Sequence, residues 1–108
     1  MDCIKGILVT KRDGNDDIPF AIDINGKFNP SPEENLHTTG LNVYGKVNES
    51  DEYLYLVYYI ADPGDYIVPN CAYTKEKDAD AHLKYWNDDA GIMATGHYFL
   101  KEKVKILK

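Results

Sequence analysis

Cys71, His82 and His97 are the side chains in this chain most suited to covalent chemistry. A thiol becomes a nucleophile when a base stands within hydrogen-bond reach and something lowers its pKa. Cys71 falls just before a predicted helix, whose N-terminal dipole favours a thiolate. His82 or His97 would be the base, and Asp65 or Asp80 would orient it. The intervals of eleven and fifteen residues match no nucleophile signature, and neither does the local sequence "PNCAYT". A small residue closing a strand accounts for Cys71 better, because the spacing carries almost no information. His82 falls on the apolar stripe of the helix, where a partly buried, hydrogen-bonded histidine is the ordinary occupant. A cysteine-dependent enzyme using Cys71 with His82 or His97 therefore ranks third among the functional readings.

Other chemistries have less support. Asp13, Asn15 and Asp17 begin like a calcium loop, but Ile18 stands where the glycine belongs and Ile24 where the closing glutamate belongs. No CxxC, HxH or HExxH pair anchors a transition metal, and no glycine-rich phosphate loop occurs. The sequence thus implies no cofactor and no metal. Eighteen acidic residues offer many carboxylate pairs, such as Asp62 with Asp65, without the defined spacing that hydrolysis needs.

Recognition chemistry is better represented. The segment Asp51–Ile60, "DEYLYLVYYI", holds four of the nine tyrosines. In a strand, side chains alternate between faces, so Leu54, Leu56, Tyr58 and Ile60 share one face and read as core. Tyr53, Tyr55, Val57 and Tyr59 share the other. Tyrosine suits recognition because it offers a large area, a polar tip and few rotatable bonds. It also has high strand propensity, so a purely structural explanation competes. The deciding question is whether the helix bearing Leu83 and Trp86 covers that row. Tyr53, Tyr55 and Tyr59, with Asp62, Asp65 and Tyr66 at the following turn, form the predicted binding set.

The elements that must position these groups can be read from periodicity and punctuation. Strands are expected at Ile4–Lys11, at "IPFAIDI" with Phe20, Ile22 and Ile24 on one face, and at "LNVYGKV". Asn25-Gly26 marks a hairpin, and "NPSPEENLHTTG" reads as a loop. The tyrosine strand follows, then a Pro63-Gly64 turn and a short strand "YIVP" stopped by Pro69. A helix is predicted over about 75–87, capped by Thr74, with Ala79, His82, Leu83 and Trp86 as its buried stripe and Gly91 at its end. The tail alternates, with Tyr98, Leu100, Val104 and Ile106 inward. Lys101, Lys103 and Lys105 point outward, as at a sheet edge. No internal repeat is evident. The expected fold is α+β: a largely antiparallel sheet or partial barrel of about five to seven strands, with one helix before the C-terminal strand.

The 108 residues read as a single domain, 1–108. The net charge of −6 is uneven: residues 1–12 carry +2, residues 101–108 carry +3, and the stretch between carries −11. If the two basic terminal strands pair, their lysines form a ridge on an acidic body. That body and a lone arginine, Arg12, disfavour nucleic acid and anionic membranes. Two cysteines are too few for a disulfide scaffold, and the apolar run Ile7–Val9 is too short for a signal or membrane segment. The expectation is a cytoplasmic, acidic, non-enzymatic binding protein presenting tyrosines to a protein partner, in the manner of an inhibitor, immunity protein or phage-type antagonist. The second reading is a small-molecule site with tyrosine walls inside a curved sheet. A homodimer through an apolar sheet edge is a further expectation.

Overall fold

A computed structural model of the chain describes residues 3–13, 16–26, 36–61, 66–87 and 98–107. Its elements run β1 (Cys3–Asp13), β2 (Asp16–Asp23), β3 (Leu36–Tyr44), β4 (Tyr53–Ala61), β5 (Tyr66–Tyr73), α1 (Glu76–Asn87) and β6 (Tyr98–Leu107). Among the described residues the fold is mostly sheet with one helix before the last strand, as expected. The sheet, however, is a closed mixed barrel in the order β1-β2-β6-β4-β5-β3. Two of its six pairings, β2 with β6 and β3 with β5, are parallel. Local alternation identifies strands but carries no information about such distant partners.

The barrel repeats itself. β1 pairs antiparallel with β2 and β3, and β4 pairs antiparallel with β5 and β6. The parallel pairs then join each half to the other. Register is conserved as well as order: Val9 faces Ala21 and Thr10 faces Pro19, while Val57 faces Cys71 and Tyr58 faces Pro69. In each half one residue after the proline, Phe20 or Asn70, is left unpaired as a bulge. Lys5 faces Asn42 where Tyr53 faces Lys105. The chain is thus two three-stranded halves of like topology and register, a repeat that residue identity conceals.

Leu8, Ile22, Leu41, Val43, Leu54, Leu56, Tyr58, Ala72, Val104 and Ile106 form one buried cluster. Counterparts exchange volume across the halves: Gly6 beside Ile22 corresponds to Leu54 beside Ala72. A side chain at Gly6 would press on Val43 and Ile22 methyls at 3.1 and 3.4 Å, so the smaller residue is needed where its neighbour is large. Leu54, Leu56 and Tyr58 fall on the core face, as the alternation predicted. The side chain of Ile60 lies outside the described residues.

Several sequence expectations are corrected. β3 begins at Leu36, inside the segment read as loop, because its polar His37, Thr38 and Thr39 hide the alternation. β5 runs through Pro69, which the bulge tolerates because pairing is interrupted there. The equivalent bulge at Phe20 shifts the phase of β2, so Phe20 is 56% exposed while Ile22 is fully buried. The Lys75 carbonyl accepts from the Asp78 and Ala79 amides, so Lys75, not Thr74, holds the cap position. β6 is not a sheet edge, since β2 and β4 flank it. β2 also separates β1 from β6, so the condition for the lysine ridge is not met. No described strand is terminal in the sheet, which removes the edge expected to serve a dimer. Gly91, the Pro30–Pro32 segment and the Pro63-Gly64 turn lie outside the described residues.

Candidate functional site: a tyrosine row and the groove beside it

Register determines which tyrosines meet. Tyr55 on β4 faces Tyr73 on β5, and Tyr73 faces Tyr44 on β3. Tyr44 and Tyr73 stack with ring centroids 5.5 Å apart. The row therefore runs across three strands rather than only along one. All three rings are half-buried, and Tyr53 extends the surface as an exposed ring with Lys103 Nζ 4.4 Å from its centroid.

The helix covers one end of the predicted row and leaves the other open. Ala79 is fully buried in an outer cluster with Val57, Cys71 and Phe99, and Leu83, Tyr55, Tyr59 and Tyr73 pack around it. Tyr59 lies against Phe99 at 5.4 Å. Tyr59 therefore serves packing, Tyr55 is shared between packing and surface, and Tyr53 faces outward. Asp62 and Asp65 lie outside the described residues, as does the side chain of Tyr66.

Two ties fix the helix. The Asn87 side-chain amide donates to the Phe99 carbonyl (3.1 Å) and accepts from the Phe99 amide (2.8 Å), mimicking a neighbouring strand. Lys101 reaches Asp80 at 2.6 Å and Glu76 at 3.3 Å. These ion pairs are exposed and screened by salt, so they orient the helix more than they stabilise it. Trp86 leans on Phe99 and His82, with Tyr85 edge-on to it. Beside them an open groove of about 400 Å3 is lined by Tyr73, Asp78, Ala81, His82, Tyr85 and Trp86.

Cys71 and His82 do converge, as the cysteine reading required. The Cys71 thiol lies 3.5 Å from His82 Nδ1, and the Tyr73 hydroxyl lies 3.0 Å from the same nitrogen. The electrostatics oppose nucleophilic use. Burial pushes the Cys71 thiol up, only partly offset by the Tyr73 hydroxyl. Burial, then the Cys71 sulfur, pushes the Tyr73 phenol up. Burial pushes the His82 imidazole down. Burial disfavours the imidazolium, and Nδ1 of the neutral ring is shared between the Cys71 thiol and the Tyr73 hydroxyl, each of which can donate or accept. Nε2 is buried and has no partner among the described residues, so no described carboxylate orients His82 through that nitrogen. Asp80 is turned to Lys101, and His97 and Asp65 lie outside the described residues. Cys71 is 4% exposed, closed off by the helix. The cluster is a packed hydrogen-bonded joint between β5 and α1.

No group of three or more metal-ligating side chains occurs among the described residues, and no described helix is long and apolar enough to cross a membrane. Reading along one strand missed Tyr44, Tyr73 and Tyr85, because their proximity depends on parallel pairing and on helix placement. The adjacent aromatic pair Tyr85-Trp86 on a helix was the available signal. The chain matches no protein-family model, and comparison with curated proteins and solved structures gives no significant match.

Proposed function

We propose that this chain is a non-enzymatic binding domain that holds a basic protein partner on the tyrosine row and the adjoining Tyr85–Trp86 groove. One observation carries the reading. The two halves of the barrel share topology and register, so each is a control for what the other needs to fold. At the positions of Tyr53, Tyr55 and Tyr73, the first half has Lys5, Ile7 and Asp23, and at the position of Tyr44 the second half has Leu107. The scaffold therefore closes without tyrosine at these positions, and no tyrosine precedes Tyr44 in the chain. Among the described residues the tyrosine row lies on β3, β4 and β5 where these strands adjoin.

Exposure and charge support the same reading. Tyr85 is 74% exposed and Trp86 38%, and aromatic residues of this kind anchor protein interfaces. The net charge of −6 favours encounter with a basic surface. The test uses the immobilised protein and a variant carrying Tyr53→Lys, Tyr55→Ile and Tyr85→Ala, matched for folding by circular dichroism. Wild type should retain a basic partner that the folded variant releases. Identical capture by both proteins would remove the tyrosine surface from the binding role.

A further inference from the structure

The groove has a chemical preference of its own. Its aromatic lining comes from Tyr73 on the barrel and from Tyr85 and Trp86 on the helix. Among the described lining residues Asp78 is the one charged side chain, with a half-buried, neutral His82 beside it. Tyr85 and Trp86 meet edge to face at 5.5 Å, which leaves ring surface turned outward. Electron-rich ring faces attract cations, and a carboxylate at the rim reinforces that attraction. Guanidinium suits such a place better than ammonium: it is planar, weakly hydrated, stacks on aromatic rings and pairs with carboxylate. A negatively charged or uncharged apolar side chain would gain nothing from Asp78.

We propose that the groove bounded by Tyr73, Asp78, Tyr85 and Trp86 receives an arginine side chain of the protein partner. This assignment rests on the binding reading above and specifies its anchoring contact. The guanidinium lies over the face of the exposed Tyr85 ring, with the nearly perpendicular Trp86 ring alongside, and its N–H groups donate to the Asp78 carboxylate. The fixed joint beneath keeps the rings in place, since Asn87 ties the helix end to β6 and His82 ties its middle to Tyr73.

Trp86 is the only tryptophan, so its fluorescence reports on the groove directly. The probe is Gly-Arg-Gly blocked at both ends, with the citrulline peptide as the neutral isostere. The arginine peptide should give a saturable change that weakens with added salt, and citrulline should give none. Tyr85→Ala should weaken binding by about threefold or more, the range of one exposed cation–π contact. Asp78→Asn should weaken it by a similar factor while helix content, read by circular dichroism, stays unchanged. An equal response to citrulline, indifference to both substitutions, or no saturable response would each overturn the assignment. Should the arginine peptide fail while wild type still outperforms the tyrosine variant in partner capture, only the arginine contact falls. Failure of both measurements sinks the binding reading as well.

Discussion

At the scale of residues, His82 links packing to pH. Burial holds its pKa below the ordinary value of 6.5, so the folded chain resists a proton that the unfolded chain accepts. The stability His82 contributes is complete above about pH 6.5 and is lost as pH falls toward its depressed folded value. The urea midpoint should therefore drop between pH 7 and pH 5.5, and His82→Gln should flatten that drop. Cys71 gives a second check. A thiol reagent at neutral pH should modify exposed Cys3 rapidly and leave Cys71 protected until the chain unfolds. Equal labelling of both thiols would contradict the closed joint. Gly45 is the residue whose backbone decides most: its φ is +103°, and a side chain there would collide with Thr74. Thr74 also donates its amide to the Tyr44 carbonyl at 3.0 Å, so this crossing positions the row. Gly45→Ala should cost roughly 1–3 kcal/mol in chemical unfolding.

Elements show how far sequence reasoning reaches. The helix was legible almost to its ends because Ala79, Leu83 and Trp86 recur at helical spacing and the following chain breaks that pattern. β4 was legible because its inward face is wholly apolar, Leu54, Leu56 and Tyr58. β3 was not, since Thr38, Thr39 and Gly40 lie exposed and supply no apolar phase. Pro69 misled for a physical reason: a proline ends a regular ladder, but beside a bulge the ladder is already interrupted. Within the site, Cys71 and His82 were named from their types alone, and they do meet. Their protonation states depend on burial by Ala79 and Phe99, which no spacing rule conveys. The element-level prediction concerns Asn87. Its side chain satisfies both backbone groups of Phe99, so Asn87→Ala should destabilise the fold by roughly 1–3 kcal/mol. The Tyr85 and Trp86 surface should loosen with it, seen as a red shift of Trp86 emission at unchanged strand content.

At the scale of the whole molecule, the topological repeat governs both assembly and function. Every parallel pairing joins one half to the other, and the covalent link between the halves is the stretch from Gly45 to Glu52. Each half therefore holds its partner through strand pairing and the shared core rather than through the linker. A protease site placed at Val47–Ser50 and cut after folding should leave a nicked barrel that elutes at the intact mass. Separation of the two fragments would show that the linker, not the interlocked sheet, keeps the halves together. The same repeat separates what the scaffold requires from what it carries. The two halves of like register differ at the outward positions of β4 and β5, where one is aromatic and the other is not. The most direct measurement is the urea unfolding free energy of the double variant Tyr53→Lys and Tyr55→Ile, which installs the first half's own residues. Tyrosines kept for recognition predict a change within about 1.5 kcal/mol, the range of tolerated swaps at surface and half-buried positions. A loss of roughly 3 kcal/mol or more, as core truncation produces, would show that the rings hold the barrel together and would contradict the account.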